Sequence, residues 1–294
     1  MSSTDRPGLN VIGAGRVARL LARCWHEAEV FEVRALVTRR PESARAAGRF
    51  IGSGRPATSL DSLGPAEFWM IGTPDDSVIS AADALRACGQ VRSGDTVFHL
   101  SGALAADVLG QWDGANRASL HLLKTVPDAA VAYASFGTPC ITLEGDPPAV
   151  ESLVPACRAL QAQILTLDAD AKAVYQTANV MLCNYLVTLT GMGVDLYRRA
   201  GINSRKALQI LGPLMQETLN NTLDAGPVGA LTGPISRGDA GVVRQQLELL
   251  PPEARDVYRS LGRETVKLAA AAGLLQDSDV DALDRVLADV SRCR

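Results

Sequence analysis

A lysine, two amides and a thiol recur on one face of a long predicted helix. Lys172 is followed by Gln176, Asn179 and Cys183, and spacings of 4, 7 and 11 residues place them on one side of an α-helix. An ammonium and amides on such a stripe can protonate or orient a carbonyl oxygen. Lys172 falls in the first turn, the unfavourable end of the helix dipole for a cation. A functional lysine and a lysine exposed at a solvated helix end are therefore both open interpretations.

Two more candidate groups follow predicted strands in the first half of the chain. Ser101 and Gly102, in VFHLSGALAADVL, stand where they could donate hydrogen bonds to a substrate carboxylate or carbonyl. His121, in SLHLLKTVPD, follows the next strand, and a histidine can act as a general acid near neutral pH. A core histidine with satisfied hydrogen bonds is the alternative for His121, and also for His99.

The segments that carry these residues alternate between strand and helix up to residue 167. Apolar, β-branched runs predict strands at residues 9–12, 32–37, 68–71, 96–100, 118–120, 139–143 and 163–167. Helical spacing occurs at residues 17–28, 78–88, 105–109 and 148–160. Such alternation predicts βαβ units and a mostly parallel, doubly wound α/β sheet.

From residue 168 the periodicity is helical throughout. Predicted helices cover residues 168–197, 204–223, 242–250, 253–272 and 278–290, and the Gly/Pro-rich segment DAGPVGALTGPISRGD separates the second from the third. We therefore expect an α/β domain over residues 1–167 and an all-helical domain over residues 168–294.

The stretch VIGAGRVA contains the pattern GxGxxA between the first strand and the first helix. Gly13 permits a tight turn, Gly15 lets the backbone approach a pyrophosphate, and Ala18 allows the helix to pack close to the strand. The helix N-terminus then directs its free N–H groups at the phosphates. A purely structural turn is the alternative. The loop residues predicted to contact the nucleotide are Gly13, Ala14, Gly15, Arg16 and Val17.

The end of the second strand indicates which dinucleotide would bind. An NAD site usually has an acidic residue there, whereas this chain has Thr38, Arg39 and Arg40, whose guanidinium groups suit a 2′-phosphate. NADP(H) is therefore the predicted cofactor, with an ordinary solvated basic pair as the alternative. In IGTPDD, Thr73, Pro74 and Asp75 follow another strand and are predicted to cover the ribose and adenine side. A helix start capped by Asp75 would explain the same residues without a ligand.

Composition excludes several other classes of protein. With 29 Lys plus Arg against 32 Asp plus Glu and 4% aromatic residues, the chain offers no nucleic-acid footprint or stacking platform. Its apolar stretches are interrupted before the roughly 18 residues of a membrane span, and residues 1–7 lack a signal pattern, so no membrane association and a cytoplasmic location are expected. The six cysteines show no close pairing, and no metal site is expected.

Seven stretches together resemble one family: VIGAGRVA, GTPDD, FHLSGAL, SLHLLKT, FGTPC, AKAVYQTANVMLCNYLVTL and ALTGPISRGD. The chain resembles, over nearly its whole length, the Rossmann-like family with domain of unknown function 2520 at its C-terminus. That family is similar to the superfamily of 6-phosphogluconate dehydrogenase, hydroxyisobutyrate dehydrogenase, pyrroline-carboxylate reductase and deazaflavin-dependent NADP reductases.

The resemblance implies a Rossmann-type sheet, a helical C-terminal domain of the 6-phosphogluconate dehydrogenase type that often dimerises, and an active cleft between them. It also implies that Ser101 and Gly102 belong to a substrate-binding loop and that Lys172 is a catalytic lysine. Two departures weaken the transfer of a mechanism. Gln176 stands where the dehydrogenases have asparagine and where the family often has histidine, and Leu122 stands where the family commonly has proline.

Arg237, in ALTGPISRGD, is a further candidate for substrate binding. Gly233 and Pro234 make a stiff turn, from which the Arg237 guanidinium could hold a carboxylate or phosphate in two hydrogen bonds. The alternative is a corner in which Asp239 caps the next helix and pairs with Arg237.

These residues together predict an NADP(H)-dependent oxidoreductase that moves hydride between the nicotinamide and a small carbonyl, hydroxy or imine substrate. Predicted catalytic residues are Lys172, His121 and Ser101, and predicted substrate contacts are Ser101, Gly102, Gln176, Asn179 and Arg237. A homodimer is expected. The alternatives are a non-catalytic dinucleotide-binding sensor or regulatory protein and a deazaflavin-dependent NADP reductase.

Overall fold

The computed structural model describes residues 6–288 and contains two compact units, Met1–Leu182 and Cys183–Arg294. The first unit is built on one eight-stranded sheet in the order β3-β2-β1-β4-β5-β6-β7-β8. All neighbouring strands are parallel except β6 and β7, which are antiparallel. The strands are β1 (Gly8–Ile12), β2 (Glu32–Val37), β3 (Arg55–Ala57), β4 (Phe68–Ile71), β5 (Thr96–His99), β6 (Asn116–Leu123), β7 (Cys140–Gly145) and β8 (Gln163–Thr166).

Helices cover both faces of this sheet because its inner strands are apolar on both sides. In β4, Met70 packs into one apolar cluster whereas Trp69 and Ile71 pack into the other. This is the pattern of a parallel sheet buried on both faces, and the predicted doubly wound α/β fold is confirmed. The helices are α1 (Arg16–Glu27), α2 (Pro41–Ile51), α3 (Val78–Ala87), α4 (Ala129–Ala134), α5 (Pro147–Ala159) and α6 (Ala169–Asn179).

The chain order of the strands reverses between β1 and β4. Because these strands are parallel, their carboxyl ends meet at one edge, where the loops after β1, β4, β5 and β6 converge. Ligands of open α/β sheets bind in the crevice at such a switch point. The topology therefore brings three loops to one edge: the glycine loop (residues 13–17), the GTPDD loop (residues 72–76) and the SGA loop (residues 101–103).

Some predicted elements need correction. The strand β3 and the helices α2 and α4 were not predicted from the sequence, and the helix predicted at residues 105–109 is a 3₁₀ turn, Ala106–Leu109. The long helix predicted from residue 168 is interrupted by a π-helical turn, Val180–Asn184. The two compact units divide inside this turn, and the domain boundary at residues 167/168 stays a prediction.

The second unit is helical. It contains α7 (Tyr185–Arg199), α8 (Ser204–Gly229), α9 (Ala240–Leu249), α10 (Pro252–Ala271) and α11 (Asp277–Leu287). Its core includes Val243 of α9, Val266 of α10 and Leu283 of α11. The end of the predicted helix at residues 278–290 and Cys293 lie outside the described residues.

One helical run, Ala169–Arg199, has the length and apolar composition of a membrane span, although the sequence analysis expected none. None of its apolar window is buried. Leu182, Tyr185 and Val187 are all more than half exposed. The run therefore presents an uncovered apolar surface on the isolated chain.

Candidate functional site

The turn after β1 can be made only by a small residue. Gly13 has a φ of +83°, which L side chains rarely adopt. Its N–H donates to the Val37 carbonyl at 2.7 Å, and a Cβ on Gly13 would lie 2.8 Å from Thr73 Cγ2. The first glycine of the motif is thus required by both backbone conformation and space.

The other two small residues of the motif bring α1 close to the end of β4. A Cβ on Gly15 would lie 2.9 Å from the Gly72 carbonyl oxygen. The side chain of Ala18, which is buried, faces Gly72 so closely that a Cβ on Gly72 would clash with it. Any larger residue at position 18 would push the helix off the strand end.

The N-terminus of α1 is open to a cavity of about 520 Å³ at this edge. The N-cap residue is Gly15, which has no side chain to accept a hydrogen bond from the first N–H groups, and the first turn contains no acidic residue. Its first N–H groups therefore have no intrahelical acceptor and carry the positive end of the dipole. Gly15, Arg16, Val17, Thr73 and Lys124 line the cavity, which fits an anionic pyrophosphate.

A second cavity of about 300 Å³ continues past the end of β2. Gly13, Thr38, Arg39, Thr73 and Pro74 are among its lining residues, and Thr73 and Pro74 also line the first cavity. The Thr73 Oγ1 atom is buried without a hydrogen-bond partner among residues 6–288. The two cavities, their glycine walls and this orphaned hydroxyl fit an extended nucleotide.

Arg39 lines this second cavity, and Arg40 follows it in the chain. Thr38 Oγ1 donates to the Arg40 carbonyl at 2.6 Å, which shapes the turn. Both arginines are exposed. Within the described part of the chain neither guanidinium forms an ion pair with a carboxylate. Both charges are therefore available to an anion.

The SGA loop after β5 is held by a buried histidine. His99 is fully buried, its Nδ1 accepts from the Ser101 N–H at 3.2 Å, and its Nε2 lies 3.1 Å from the Ala105 carbonyl oxygen. Nε2 must therefore carry the proton in this arrangement. Burial lowers the pKa of His99 to about 4, so the ring is neutral. His99 is the satisfied core histidine of the alternative interpretation.

The Ser101 hydroxyl is already engaged within the protein. It donates to Asp75 Oδ2 at 2.9 Å and accepts from the N–H groups of Ala103 and Leu104, both at 3.1 Å. Asp75 belongs to the GTPDD loop, so this bond ties the nucleotide loop to the SGA loop. Ser101 therefore orients backbone, and no donor hydrogen of its hydroxyl is left for a substrate.

Lys172 is buried, which contradicts the interpretation of an exposed lysine at a solvated helix end. Only 1% of the residue is accessible, and its Nζ donates to Ser119 Oγ of β6 at 2.5 Å. Ser119 Oγ in turn donates to the Ser101 carbonyl at 3.2 Å. Burial lowers the pKa of Lys172, and the carboxylates of Glu144 and Asp75 oppose that shift.

His121 and Gln176 meet above Gly102. A Cβ on Gly102 would lie 2.5 Å from Gln176 Oε1 and 2.8 Å from His121 Nε2. The His121 ring also packs edge-on against Tyr175 at 6.0 Å. Burial, followed by the Lys172 charge, lowers the pKa of His121 to about 4. Helix α6 therefore places its polar face on the ends of β5 and β6.

Several buried polar atoms in this cluster have no partner among residues 6–288. They are His121 Nδ1, Thr142 Oγ1, Tyr175 OH, Gln176 Oε1 and Asn179 Nδ2. An unpartnered buried polar group costs free energy unless water or a ligand satisfies it. His121 therefore does not fit the description of a satisfied core histidine, and the cluster has the character of a binding site for a polar molecule.

Two other predicted residues belong to the second unit. Cys183 is exposed in the π-helical turn. Arg237, in the second unit, is exposed and donates from Nε to Asp239 Oδ2 at 3.0 Å, and Asp239 occupies the N-cap position of α9. Arg237 thus has the contact described by its structural alternative.

Three further residues of this cluster were not predicted from the sequence: Ser119, Glu144 and Tyr175. Ser119 precedes His121 by two residues in β6, so both side chains project from the same face of the strand. This alternation was a usable signal for Ser119. The position of Glu144 depends on the antiparallel register of β6 and β7, in which it pairs with Ser119, and the sequence contains no signal for that register.

The fold defines a class of protein with an N-terminal Rossmann-type sheet and a helical C-terminal domain. Residues 139–265 match the family model of the domain of unknown function DUF2520, which confirms the domain indicated by the sequence motifs. No curated protein matches the chain by sequence.

Solved structures with a similar fold include three informative ones. A protein from Bacteroides fragilis, described as a candidate NADP oxidoreductase, has a TM-score of 0.74 and 19% identity over 89% of this chain and 98% of its own. An imine reductase from Pseudomonas sp. has a TM-score of 0.59 and 18% identity, covering 96% and 93%. A reductive aminase from Aspergillus terreus, in complex with NADPH and ethyl-5-oxohexanoate, has a TM-score of 0.59 and 13% identity, covering 96% and 92%. At these identities the similarity establishes the fold.

Proposed function

We propose that this protein is an NADP(H)-dependent oxidoreductase that reduces a small carbonyl or imine compound, or oxidises the corresponding alcohol or amine. One observation carries the proposal. The Asp75–Ser101 hydrogen bond connects the GTPDD loop, which lines the proposed nucleotide cavity, to the SGA loop. Through Ser119, the SGA loop is connected to the buried Lys172, which lies beside a group of unpartnered polar atoms at the same sheet edge. A non-catalytic nucleotide sensor would need the first part of this arrangement and not the second.

The dinucleotide would lie along the two cavities at the switch point. The N–H groups at the start of α1 would hold the pyrophosphate, and Gly13 and Gly15 would let it approach. Arg39 and Arg40 would bind the 2′-phosphate, which NADPH has and NADH lacks. The fold neighbours include an NADPH complex and a candidate NADP oxidoreductase, which supports a nicotinamide dinucleotide as the cofactor, whereas the choice of NADP(H) rests on Arg39 and Arg40.

The reaction needs a hydride and a proton, and the chain can supply the proton. When bound, the cofactor supplies or accepts the hydride. His121 has a pKa of about 4, so only about one ring in a thousand is protonated at neutral pH. Lys172 is therefore the group with a transferable proton. Its Nζ would give a proton to the oxygen or nitrogen that gains charge as hydride arrives, and it would regain one from solvent.

His121 would act in its neutral form. A neutral imidazole N–H can polarise a carbonyl without transferring its proton. Gln176 Oε1 and the Gly102 backbone border the same space, where they would orient the substrate. Substrate contacts from Asn179 and from Arg237 are part of the proposal, the latter for an anionic group on the substrate.

Titration with NADPH and NADH tests cofactor binding. We expect wild-type protein to prefer NADPH and the Arg39→Ala/Arg40→Ala variant to lose that preference. Two exposed charge-assisted contacts are worth about 1–2 kcal/mol together after solvent screening, or about 5- to 30-fold in Kd. NADH affinity should change little and serves as the internal control. Failure of both nucleotides to bind would remove the proposed function.

Turnover separates the remaining alternatives. Bound NADPH should be oxidised when carbonyl or imine compounds are added, and Lys172→Met should lower kcat by about 10²- to 10⁴-fold while leaving NADPH affinity intact. NADPH that binds and never turns over would instead identify a sensor. Oxidation by a deazaflavin alone would identify a deazaflavin-dependent NADP reductase.

A homodimer formed through the helical unit is part of the proposal. Tyr185, Val187, Leu214 and Leu223 are 54%, 73%, 55% and 74% exposed, and exposed apolar surface on this scale is typical of an interface. Light scattering after size exclusion should give twice the chain mass, and Val187→Glu/Leu223→Glu should give the mass of one chain.

A further inference from the structure

Glu144 of β7 is a buried carboxylate that the proposed reaction does not use directly. It is 6% exposed, and burial raises the pKa of its carboxyl group. Keeping a charged carboxylate out of water is costly unless it is hydrogen-bonded and faces a cation. The neighbours of Glu144 therefore indicate why it is retained.

The β6–β7 register places Glu144 against the hydrogen-bond partner of Lys172. Glu144 pairs with Ser119 across the antiparallel strands, and directly opposed side chains in such a pair project from the same face with Cβ atoms about 5 Å apart. Ser119 Oγ accepts the hydrogen bond of Lys172 Nζ. The carboxylate thus faces the ammonium from the adjacent strand, in a buried region where screening by solvent is weak.

Glu144 also contacts the end of the SGA loop. Its Oε2 accepts a hydrogen bond from the Ala106 N–H at 2.8 Å, while the His99 ring contacts Ser101 and Ala105 in the same loop. One carboxylate therefore touches the segment that follows Gly102 and faces the lysine that would deliver the proton.

We propose that Glu144 is a positioning residue that favours the ammonium form of Lys172 beside the SGA loop. This role rests on the proposed function, because it concerns the proton that Lys172 delivers. Glu144 does not touch the substrate in this scheme. It acts through Lys172 and through the loop backbone.

A purely structural role for Glu144, as an acceptor for the Ala106 N–H, makes a different prediction. Glu144→Gln keeps a side-chain oxygen for that N–H and removes the charge. A structural role would leave the titration of Lys172 unchanged in this variant. The proposed role requires the titration midpoint of Lys172 to move to lower pH, because a carboxylate that favours the ammonium is gone.

Other charged or titratable groups must be accounted for in the same titration. Asp75 faces Lys172 from the loop after β4 and also favours the ammonium, whereas His99 of β5 and His121 of β6 are neutral above about pH 4. Helix α6 itself contributes Asp170 and Tyr175, and Asp168 precedes it. Among the carboxylates that act on Lys172, Glu144 is the buried one and Asp75 is exposed.

The experiment is a pH titration of lysine side chains by NMR in protein labelled with ¹³C,¹⁵N-lysine. The chain contains four lysines, so the signal of Lys172 can be assigned by its absence in Lys172→Met. We expect Glu144→Gln to shift the Lys172 midpoint to lower pH. Glu151→Gln, which removes an exposed carboxylate of α5, is the matched control and should leave it in place. An unchanged or raised midpoint in Glu144→Gln overturns the proposal.

A reciprocal measurement keeps the proposal testable even if Glu144→Gln does not fold. Because the Lys172 charge lowers the pKa of Glu144, the carboxyl signal of Glu144 in ¹³C-glutamate protein should titrate at higher pH in Lys172→Met than in wild type. An identical midpoint in both proteins contradicts the coupling. Neither titration uses cofactor or substrate, so absent NADPH turnover would refute the proposed function and leave this result standing.

Discussion

Replacing Gly102 by alanine tests whether His121 and Gln176 must sit close to the SGA loop. Gly102 does not have a positive φ, so its backbone accepts alanine. The added Cβ would lie 2.5 Å from Gln176 Oε1 and 2.8 Å from His121 Nε2, whereas ordinary carbon contacts begin near 3.4 Å. The Gln176 and His121 side chains must therefore retreat by roughly half to one ångström.

Both obstructing atoms are ends of side chains, so the variant should fold, with an overpacking cost of at most about 1–3 kcal/mol in the free energy of unfolding. A displacement of about 1 Å in an aligned site can cost about 10²-fold in rate. We expect kcat/KM to fall by about this factor with NADPH affinity little changed. Urea unfolding, fluorescence titration and steady-state kinetics measure the three quantities.

Gly64→Ala is the matched control, because a Cβ there would meet nothing within 4 Å and Gly64 also lacks a positive φ. It should be neutral in all three assays. Wild-type kcat/KM in Gly102→Ala would refute the placement of the substrate beside His121 and Gln176. Equal losses in both variants would show that the effect of Gly102→Ala is not local.

Two further predictions concern the sheet edge. Ala18→Val should lower the free energy of unfolding by about 1–3 kcal/mol and weaken NADPH binding, because Ala18 faces Gly72 at the end of β4. The matched control is Ala84→Val, at an exposed helical residue. Equal NADPH affinity in wild type and Ala18→Val would contradict this account. For His99, the folded pKa of about 4 lies below the ordinary 6.5, so the unfolded chain binds more protons between these values and stability falls as pH decreases from about 6.5 to 4, by up to about 3 kcal/mol. Urea unfolding at a series of pH values should show this slope and a smaller one in His99→Gln, with the part due to His121 retained; an unchanged slope would mean that His99 is charged or exposed in the folded state.

The tight turn after β1 was predictable from sequence because its requirements are local. Gly13, Gly15 and Ala18 lie within six consecutive positions of the chain. Each is small because of the atoms that lie closest to it. The strand β3 was missed because its three residues, Arg55, Pro56 and Ala57, lack an apolar run. Its position depends on pairing with β2, which is not a local property.

The polar cluster was only partly predictable. The helical stripe correctly brought Lys172 and Gln176 to one face, but the roles of their partners depend on tertiary contacts. Ser101 was predicted to contact substrate, yet its hydroxyl is occupied by two N–H groups and by Asp75. A serine in a loop carries no sequence signal for the direction in which its hydroxyl points.

The environment of Lys172 favours function over stability as the reason for a lysine at this position. Burial and the positive end of the α6 dipole both oppose an ammonium there. Uncharged residues at positions 172 and 144 could fill similar volume without that penalty, because replacing both partners of a buried charge pair is often neutral or stabilising, whereas removing one leaves the other uncompensated. Lys172 is nevertheless buried there, with its ammonium hydrogen-bonded to Ser119 Oγ. A buried carboxylate lies on the adjacent strand, opposite Ser119, and polar atoms without partners are nearby. Lys172→Met/Glu144→Gln, which removes both charges and keeps an acceptor for the Ala106 N–H, should therefore be about as stable to urea as wild type while it loses turnover, and Lys172→Met alone should be less stable. A large loss of stability in the double variant would instead make Lys172 a structural residue.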